Sequence, residues 1–545
     1  MIADSANTQR VDLAIEQNGG RAHGLFGEFE ETKVFYVLMG RLLSRRTRKG
    51  GLFILLVLLI LTVWLYQAHR VKSSEKETKN NSSNAHHSYA ELSYSEPSSP
   101  CNGDCEAYTN RLKRYCHSSL FDGNEQISSN EGRLTNDDYE LVHVHIVARH
   151  GDRTPVSNLR LGPRVYYECG LVQESINWNG LNDFTPHFLT PSSRGIEPQI
   201  QFHPGTQRHE CGDVKGIGKL TLLGYKQHVY LGKLMRDKYD NFVAPIIEDV
   251  PSLRNGVYVQ STQVLRTILS LSAFMLGFLP DSTELRRATT VHISHGTLLE
   301  APPVGIETVY KHCHGYSQLW NEDRRQTGYL TSEDKRRHLI TNLCGMFGLV
   351  SKCQSLSVAK VFEQLSIRGC HRPLDPLPCV KNNGPCVSYP QALELFKFAD
   401  WAWSNGHPLK TSIIATMPFL THSILSPMQR VIESYQRSIS LAGSYKFMVS
   451  LTHDDAITKM LTNLGVRVSE WIPYATRVVF ELWKKKDEEL YEVRILLNGE
   501  VVTPQCGGWR EGMNDELIPY PVLKVFLTSG THRELKYYNN MCTTT

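Results

Sequence analysis

Runs rich in hydrophobic residues precede polar turns at three places along the chain. The runs are Leu141–Val147, Val257–Val259 and Tyr445–Leu451, and each leads through hydroxyl or charged residues into apolar residues at helical spacing. A repeat of strand, turn and helix is typical of an α/β fold with a buried parallel sheet. Ligands of such folds bind at the carboxyl ends of the strands, so we expect the three turns to meet at one site.

Further apolar periodicity predicts helices around this sheet. Thr221 is a candidate N-cap for a helix reaching Arg236, and Gly465 is placed to end the helix that follows the third turn. Roughly between 295 and 405, charged helical stretches contain Cys313, Cys344, Cys353, Cys370, Cys379 and Cys386. We interpret this stretch as a mainly helical cap that is inserted in the α/β domain and held by disulfides.

The amino-terminal part of the chain has a different pattern. Residues 51–68 are uncharged and reach the lower limit for a membrane-spanning helix, so we predict a signal-anchor there. Basic residues precede this span, which predicts a cytosolic tail over 1–50 and a luminal location for the rest. A cleavable signal peptide is the alternative, but no small-residue cleavage site follows the apolar run.

The segment after the anchor is polar and carries two overlapping glycosylation sequons, at Asn80 and Asn81. Its composition predicts a disordered luminal stem over 69–100, followed by one luminal domain over 101–545. All 13 cysteines lie after the anchor, as an oxidising compartment would favour. The odd number leaves at least one of them outside an intrachain pair.

Charge and composition narrow the function classes. The chain has 545 residues with 59 basic and 55 acidic side chains, so its formal net charge is only +4. That balance gives no reason to expect nucleic acid as a partner. Hydrophobic residues make up 41%, which is enough for a large globular core.

The first turn, Arg149–Pro155 (RHGDRTP), carries the densest chemistry. Arginine forks match phosphate oxygens, and an imidazole between them can attack phosphorus. The second turn leads to Arg266 in the first turn of a helix, where anions are favoured. The third turn contains His453 and Asp454. Each feature alone fits a structural role, as a loop ion pair, a surface arginine or a helix cap.

Together the three turns supply what phosphoryl transfer needs. We expect His150 to attack phosphorus, and Arg149, Arg153, Arg266 and His453 to hold the phosphate oxygens. Asp454 would protonate the leaving oxygen and then activate water. The arginines should keep His150 neutral, whereas Asp454 must retain a proton, which predicts operation at mildly acidic pH. The scheme requires no metal and no cofactor.

Two other motifs have structural interpretations. Cys105 and Arg111 have the spacing of a thiol phosphatase, but the intervening residues include no glycine that would cradle a phosphate. His312, Cys313 and His314 suggest zinc, yet no second ligand pair follows at finger-like spacing. We therefore expect ordinary disulfide cysteines in both places.

The RHGDRTP turn, the segment STQVLRT around Arg266 and the pair His453-Asp454 resemble the histidine acid phosphatase family from about Glu140 to Cys506. The resemblance implies a three-layer α/β sandwich with an inserted helical cap. It also implies that His150 is a phosphohistidine nucleophile, that Asp454 is the proton donor, and that four side chains contact phosphate: Arg149, Arg153, Arg266 and His453.

Four shorter stretches resemble the Golgi members of that family that have an amino-terminal, type II anchor: GFLPD (277–281), LDPLPCVKNNGPC (374–386), FELW (480–483) and VRILLNGEVVT (493–503). This likeness implies a single-pass Golgi protein that removes the 2-phosphate from xylose in the glycosaminoglycan–protein linkage region. It thereby implies a role in chondroitin and heparan sulfate synthesis, with linker glycosyltransferases as partners. The alternatives are a broad-specificity luminal acid phosphatase and a catalytically silent phosphate-binding protein.

Overall fold

The computed structural model describes most of the predicted luminal domain. The described residues are 103–117, 130–157, 159, 161–163, 165, 167–169, 187–189, 210–211, 218–294, 318–322, 325, 333–353, 358–372, 377–380, 384–439, 444–504 and 516–529. The predicted tail (1–50), anchor (51–68) and stem (69–100), with Asn80 and Asn81, lie outside them, as does the segment 312–314. None of the helices within the described ranges is long and apolar enough to cross a membrane.

The described residues form eleven strands, which are β1 (Tyr139–Arg149), β2 (Tyr167–Glu168), β3 (His187–Leu189), β4 (Glu210–Cys211), β5 (Val257–Thr262), β6 (Thr290–Ser294), β7 (Phe447–Thr452), β8 (Arg477–Lys485), β9 (Tyr491–Leu497), β10 (Glu500–Val501) and β11 (Ile518–Pro519). Nine of them make one sheet in the order β10-β9-β8-β1-β7-β5-β6-β3, with β11 paired to β9. Strands β2 and β4 pair separately.

The sheet is mixed, with β1 at the junction of its two parts. Strands β1, β7, β5, β6 and β3 run parallel, whereas β8 pairs antiparallel with β1 and with β9. The three predicted strands are confirmed as β1, β5 and β7. The sequence interpretation did not identify β8 and β9, which add the antiparallel part.

Fourteen α-helices accompany the sheet in the described residues, namely α1 (Gly103–Cys116), α2 (Leu222–Lys238), α3 (Asp240–Val243), α4 (Val250–Gly256), α5 (Leu265–Phe278), α6 (Thr283–Ala288), α7 (Glu333–Met346), α8 (Val350–Cys353), α9 (Val358–His371), α10 (Tyr389–Asn405), α11 (Leu409–Phe419), α12 (Ser426–Arg437), α13 (Asp454–Asn463) and α14 (Tyr520–Thr528). A π-helical segment, Leu420–Leu425, joins α11 to α12. Thr221 caps α2 by accepting from the Gly224 amide at 3.1 Å, as predicted.

Helices cover both faces of the sheet. On one face, Met235 of α2 and Phe274 of α5 share a core with Ile146 and Val449 of the central strands. On the other face, a second core joins side chains of α11, α12, α13 and α14 to Val147 and Phe480. The architecture is thus the three-layer α/β arrangement that the resemblance implied.

The described part of the predicted cap is mainly helical and has its own core. Side chains of α7, α9 and α10 pack together there, and Tyr108 and Leu112 of α1 join them. A disulfide links Cys116 of α1 to Cys370 of α9, and a second joins Cys379 to Cys386. The contribution of α1, which precedes the sheet in the chain, was not predicted from the sequence.

Helices α2 and α5 approach so closely that their contact requires glycine. A Cβ on Gly232 would lie 2.0 Å from the Phe274 carbonyl oxygen, and a Cβ on Gly277 would lie 2.0 Å from the Val229 carbonyl oxygen. Backbone atoms cannot move aside as flexible side chains can. This packing sets how α5, with Arg266 in its first turn, lies against the sheet.

Substituting Gly232→Ala should therefore destabilise the fold by roughly 1–3 kcal/mol, the usual cost of overpacking. Gly345→Ala is the matched control, because a Cβ there would meet only a Val350 methyl at 3.9 Å. The control should be neutral or more stable by roughly 0.5–1 kcal/mol, since alanine favours helix over glycine. Denaturant midpoints measure both, and equal effects of the two substitutions would contradict the packing account.

Candidate active site

The three predicted turns lie side by side at one edge of the sheet. Strands β1, β7 and β5 are adjacent and parallel, with Arg149 in register with Thr452 on β7. Their carboxyl ends therefore present His150, His453 and the start of α5 together. The expectation that these turns converge is confirmed.

His150 follows β1 and is 1% exposed. Its amide donates to the Thr452 carbonyl at 3.0 Å, and its Nδ1 lies 2.7 Å from the Gly151 carbonyl oxygen. A carbonyl can only accept, so Nδ1 carries the proton of the neutral ring and Nε2 keeps its lone pair. The backbone thus selects the tautomer that a nucleophile attacking through Nε2 requires.

Helices α2 and α5 hold the loop that contains His150. Gly151 lies against α2, where a Cβ would be 2.2 Å from the Gly224 carbonyl oxygen. The Gly151 amide donates to Ser270 Oγ at 3.0 Å, and the Asp152 amide donates to Gln227 Oε1 at 2.7 Å. These bonds fix the loop backbone without using the groups that face the site.

Electrostatics keep His150 neutral. Burial lowers the pKa of His150 well below its ordinary value, and the positive charges of Arg266, Arg149 and Arg153 lower it further. The lowered pKa agrees with the expectation that the imidazole of His150 is neutral. The same shift shows that these arginines, which come from two different turns, lie close enough to act on one ring.

Arg149 is fully buried. Its Nη2 lies 2.7 Å from Asp454 Oδ2, and its Nη1 donates to the Ile472 carbonyl. The guanidinium carbon sits 4.3 Å from the centroid of the Tyr474 ring, which provides a cation–π contact. Arg149 therefore connects the RHGDRTP turn to the acid of the third turn.

Arg153 is paired with a side chain of the cap. Its Nη1 forms a buried ion pair with Glu363 of α9, and the other oxygen of Glu363 accepts from the Val156 amide at 3.0 Å. The neighbouring Asp152 is likewise tied to α9, because its Oδ2 lies 2.6 Å from His371 Nε2. The cap thus fixes two positions of the RHGDRTP turn.

Arg266 and His453 form a hydrogen-bonded pair. Arg266 Nη2 donates to His453 Nδ1 at 3.3 Å, so the proton of the neutral ring is on Nε2, which lies 3.2 Å from Thr262 Oγ1. Burial and Arg266 lower the pKa of His453 to about 3. Burial and Arg153 lower the pKa of Arg266 to about 10, so Arg266 still carries its charge.

Asp454 opens α13, and within the described residues its carboxylate accepts two hydrogen bonds and forms one ion pair. Its Oδ2 receives the Arg149 ion pair and the Trp471 indole N–H at 3.0 Å, and its Oδ1 receives the Asp455 amide at 2.9 Å. Burial by itself would raise the pKa of Asp454, but Arg149, Trp471 and Arg153 together hold it well below the ordinary value. The free site therefore holds a carboxylate, whereas the sequence interpretation required a retained proton.

The sequence interpretation missed the residues that support this site, namely Tyr115, Glu363, His371, Trp471 and Tyr474. Glu363 lies 210 positions after Arg153 in the chain. No local motif marks it, because its role arises only when the inserted helices fold over the turns.

The rejected thiol-phosphatase motif is structural, as predicted. Cys105 is disulfide-bonded. Arg111 is engaged by Asp400 in a buried ion pair, with Nε to Oδ2 at 2.8 Å. Among the residues that the structure describes, no group of three or more histidine, cysteine or acidic side chains is arranged to hold a metal ion.

Comparison with known proteins agrees with this geometry. The family model of the histidine phosphatase superfamily (branch 2) matches residues 140–338 and 424–498. The chain is similar to human 2-phosphoxylose phosphatase 1, at 25% identity over 67% of this chain and 72% of that protein. It is also similar to human testicular acid phosphatase, at 25% identity over 63% and 68%.

Among solved structures, a phytase of Hafnia alvei in complex with myo-inositol hexakis sulphate matches with a TM-score of 0.46 and 15% identity. The match covers 72% of this chain and 97% of the phytase.

Replacing Glu363 with glutamine should make the site more positive, because the amide no longer neutralises Arg153. The inhibition constant for inorganic phosphate should then fall about 3–10-fold, because one negative charge near a buried anion site has been removed. Inhibition constants for phosphate at fixed pH measure the effect. Glu131→Gln is the control, since Glu131 also forms a buried ion pair, with Arg477. Weaker inhibition in Glu363→Gln, or the same change in both variants, would contradict the account.

Proposed function

We propose that this chain, which belongs to the histidine phosphatase superfamily (branch 2) and is a phosphatase, hydrolyses phosphomonoesters through a phosphohistidine formed at His150. One observation carries the proposal. A buried, neutral imidazole with its Nδ1 proton bound to a backbone carbonyl stands among two buried arginines, one partly buried arginine and a second neutral histidine. Asp454 and Glu363 pair with two of the three guanidinium groups, and the charge of Arg266 beside the nucleophile suits an anionic substrate.

In the first step, the Nε2 lone pair of His150 forms a bond to phosphorus while the bond from phosphorus to the ester oxygen breaks. Arg149, Arg153, Arg266 and His453 contact the three remaining oxygens in this proposal. The leaving oxygen takes a proton from Asp454, so an alcohol departs and Asp454 becomes a carboxylate.

In the second step, water attacks the phosphohistidine. The carboxylate of Asp454 takes a proton from that water, the bond between nitrogen and phosphorus breaks, and inorganic phosphate leaves. His150 returns to its neutral form and Asp454 to its protonated form, or to the carboxylate once the proton departs with phosphate. The cycle is balanced without a metal or a cofactor.

The proton of the first step has to arrive with the substrate, because Asp454 is ionised in the free protein. A phosphomonoester monoanion carries one, since its second pKa is about 6. Binding would place that proton between the phosphate and Asp454, and the phosphate charge would offset the arginines that depress the Asp454 pKa. Activity therefore requires mildly acidic conditions because the substrate must arrive as its monoanion. The free protein does not hold a permanently protonated Asp454.

We propose further that the substrate is the 2-phosphate of xylose in the glycosaminoglycan–protein linkage region. The support is the name of the human relative, 2-phosphoxylose phosphatase 1, together with the four shorter stretches that resemble Golgi members of the family. Its removal would promote chondroitin and heparan sulfate chain synthesis, with linker glycosyltransferases as partners. The relative named testicular acid phosphatase supports a second candidate, a broad-specificity luminal acid phosphatase.

A Golgi location is part of the same proposal. Residues 51–68 would anchor the chain as a single-pass type II protein, with Asn80 and Asn81 glycosylated in the stem. The disulfides Cys116–Cys370 and Cys379–Cys386 support an oxidising lumen around the catalytic domain.

The substrate proposal is tested with a linkage oligosaccharide bearing 2-phosphoxylose, beside 4-nitrophenyl phosphate. Wild-type protein should release phosphate from both, and His150→Ala should lose at least about 100-fold on both, because the bond to phosphorus forms at the imidazole that this substitution removes. Asp454→Asn should slow the oligosaccharide far more than the aryl ester, whose leaving group needs no proton. Release from the aryl ester alone would favour the broad-specificity candidate, and no release from either would favour a silent binding protein.

The predicted pH profile of kcat/KM follows from the lowered pKa of His150 and from the second pKa of the phosphomonoester. Because the pKa of His150 lies well below 6.5, protonation of the nucleophile should reduce kcat/KM only at pH values below that figure. Above the second pKa of the substrate, about 6, kcat/KM for an alkyl ester should fall about tenfold per pH unit as the monoanion is lost. Initial rates between pH 4.5 and 8 measure this, and a kcat/KM that rises through pH 6.5 to a neutral plateau would contradict it.

A further inference from the structure

Trp471 contacts the proposed general acid directly. Its indole Nε1–H donates to Asp454 Oδ2 at 3.0 Å, on the same oxygen that lies 2.7 Å from Arg149 Nη2. Trp471 is not part of any of the three turns, and neither of the two catalytic steps above uses it. It lies between α13 and β8, seventeen positions after Asp454.

The indole is held on all sides. Its ring stacks on Trp403 with centroids 4.0 Å apart and an interplanar angle of 18°, and on Phe362 with centroids 4.9 Å apart and an angle of 10°. Its backbone amide donates to Asp400 Oδ1 at 2.8 Å, and Asp400 is itself paired with Arg111. The N–H can therefore hardly turn away from Asp454.

The two carboxylate oxygens of Asp454 have different neighbours. Each carboxylate oxygen offers two in-plane lone pairs. Oδ2 accepts the Trp471 indole N–H and also lies 2.7 Å from the positively charged Nη2 of Arg149, whereas the described residues place one donor and no cation on Oδ1, the Asp455 amide. A proton added to the carboxyl group thus meets the indole donor and the positive charge of Arg149 at Oδ2, whereas at Oδ1 it meets one donor and an open direction.

On the basis of the proposed function, we propose that Trp471 is a positioning residue. Its indole N–H binds Oδ2 of Asp454 beside the charge of Arg149 and so confines the transferable proton to Oδ1. Without the indole N–H, Oδ2 gains a free lone pair and the proton is shared between the two oxygens. The carboxylate also loses one of its stabilising donors, so the protonated acid persists to higher pH. The shared proton should lower the rate of leaving-group protonation, and the persistence of the protonated acid should move the pH dependence of that step to higher pH.

Trp471→Phe tests the proposal in the full-length protein, because phenylalanine keeps one aromatic ring in the stack and lacks the N–H donor, and the control described next loses the same ring volume. With glycerol 2-phosphate, an alkyl ester, kcat should fall about tenfold, since part of a general-acid advantage is lost. With 4-nitrophenyl phosphate kcat should change less than about threefold. The alkaline limb of kcat for the alkyl ester should move up by about one pH unit, as loss of one hydrogen bond to a charged group predicts.

Trp403→Phe is the matched control. It removes an indole N–H from the same stack, but that N–H donates to Thr458 Oγ1 at 3.0 Å and not to the carboxylate of Asp454. A purely structural role of the stack would lower the thermal midpoint in both variants and leave the alkaline limb in place. An unmoved limb in Trp471→Phe, or an equal shift in both variants, would overturn the proposal.

A second measurement covers the case that Trp471→Phe does not fold. In ¹⁵N-tryptophan-labelled wild-type protein with bound phosphate, the indole resonance of Trp471 should titrate with Asp454 and should lose that titration in Asp454→Asn. A resonance insensitive to both would also overturn the proposal. If wild-type protein releases no phosphate from either ester, the proposed function itself fails, and that outcome is separate from an active protein whose alkaline limb stays in place.

Discussion

The burial of Arg149 is the constraint on which the rest of the site depends. A guanidinium removed from water is costly unless charge and hydrogen bonds replace its hydration. Here Asp454 supplies the charge at 2.7 Å, the Ile472 carbonyl accepts a hydrogen bond, and the Tyr474 and Tyr115 rings cover the guanidinium at 4.3 and 5.6 Å. Those partners come from three separate parts of the chain, so Arg149 can be accommodated only when all of them are assembled.

The same arrangement sets the electrical state of the free site. Asp454 neutralises Arg149, and Glu363 neutralises Arg153, whereas Arg266 retains its charge beside two neutral histidines. An arriving phosphate adds negative charge where the cations outnumber their partners, and it weakens the hold of Arg149 on Asp454. Substrate binding and protonation of the acid are thereby coupled through one guanidinium.

Much of the α/β frame could be predicted from the sequence, because its signals are local. Leu141–Val147 shows a buried strand by composition, and Thr221 and Gly465 show helix ends by their chemistry. Convergence of His150, Arg266 and His453 followed from the rule that parallel strands share a carboxyl edge. The pairing of β8 with β1 and the packing of α1 into the cap join distant parts of the chain, and local periodicity does not encode such contacts.

The ionisation of Asp454 could not be predicted for a related reason. Its pKa depends on Trp471 and on the geometry of Arg149, and nothing near Asp454 in the sequence specifies either contact. Glu363 and His371 likewise reach the RHGDRTP turn only through α9, which Cys370 ties to α1. Residue types therefore indicated the reaction, whereas the three-dimensional contacts determine where its protons are.

The most direct test of the central claim is to trap the covalent intermediate. Wild-type protein mixed with 4-nitrophenyl phosphate and quenched in alkali within milliseconds should carry phosphate on the peptide containing His150. That label should survive alkali and be lost in acid, as a phosphoramidate is. A label on another residue, or turnover at full rate with no label at any quench time, would contradict the assignment of His150 as the nucleophile.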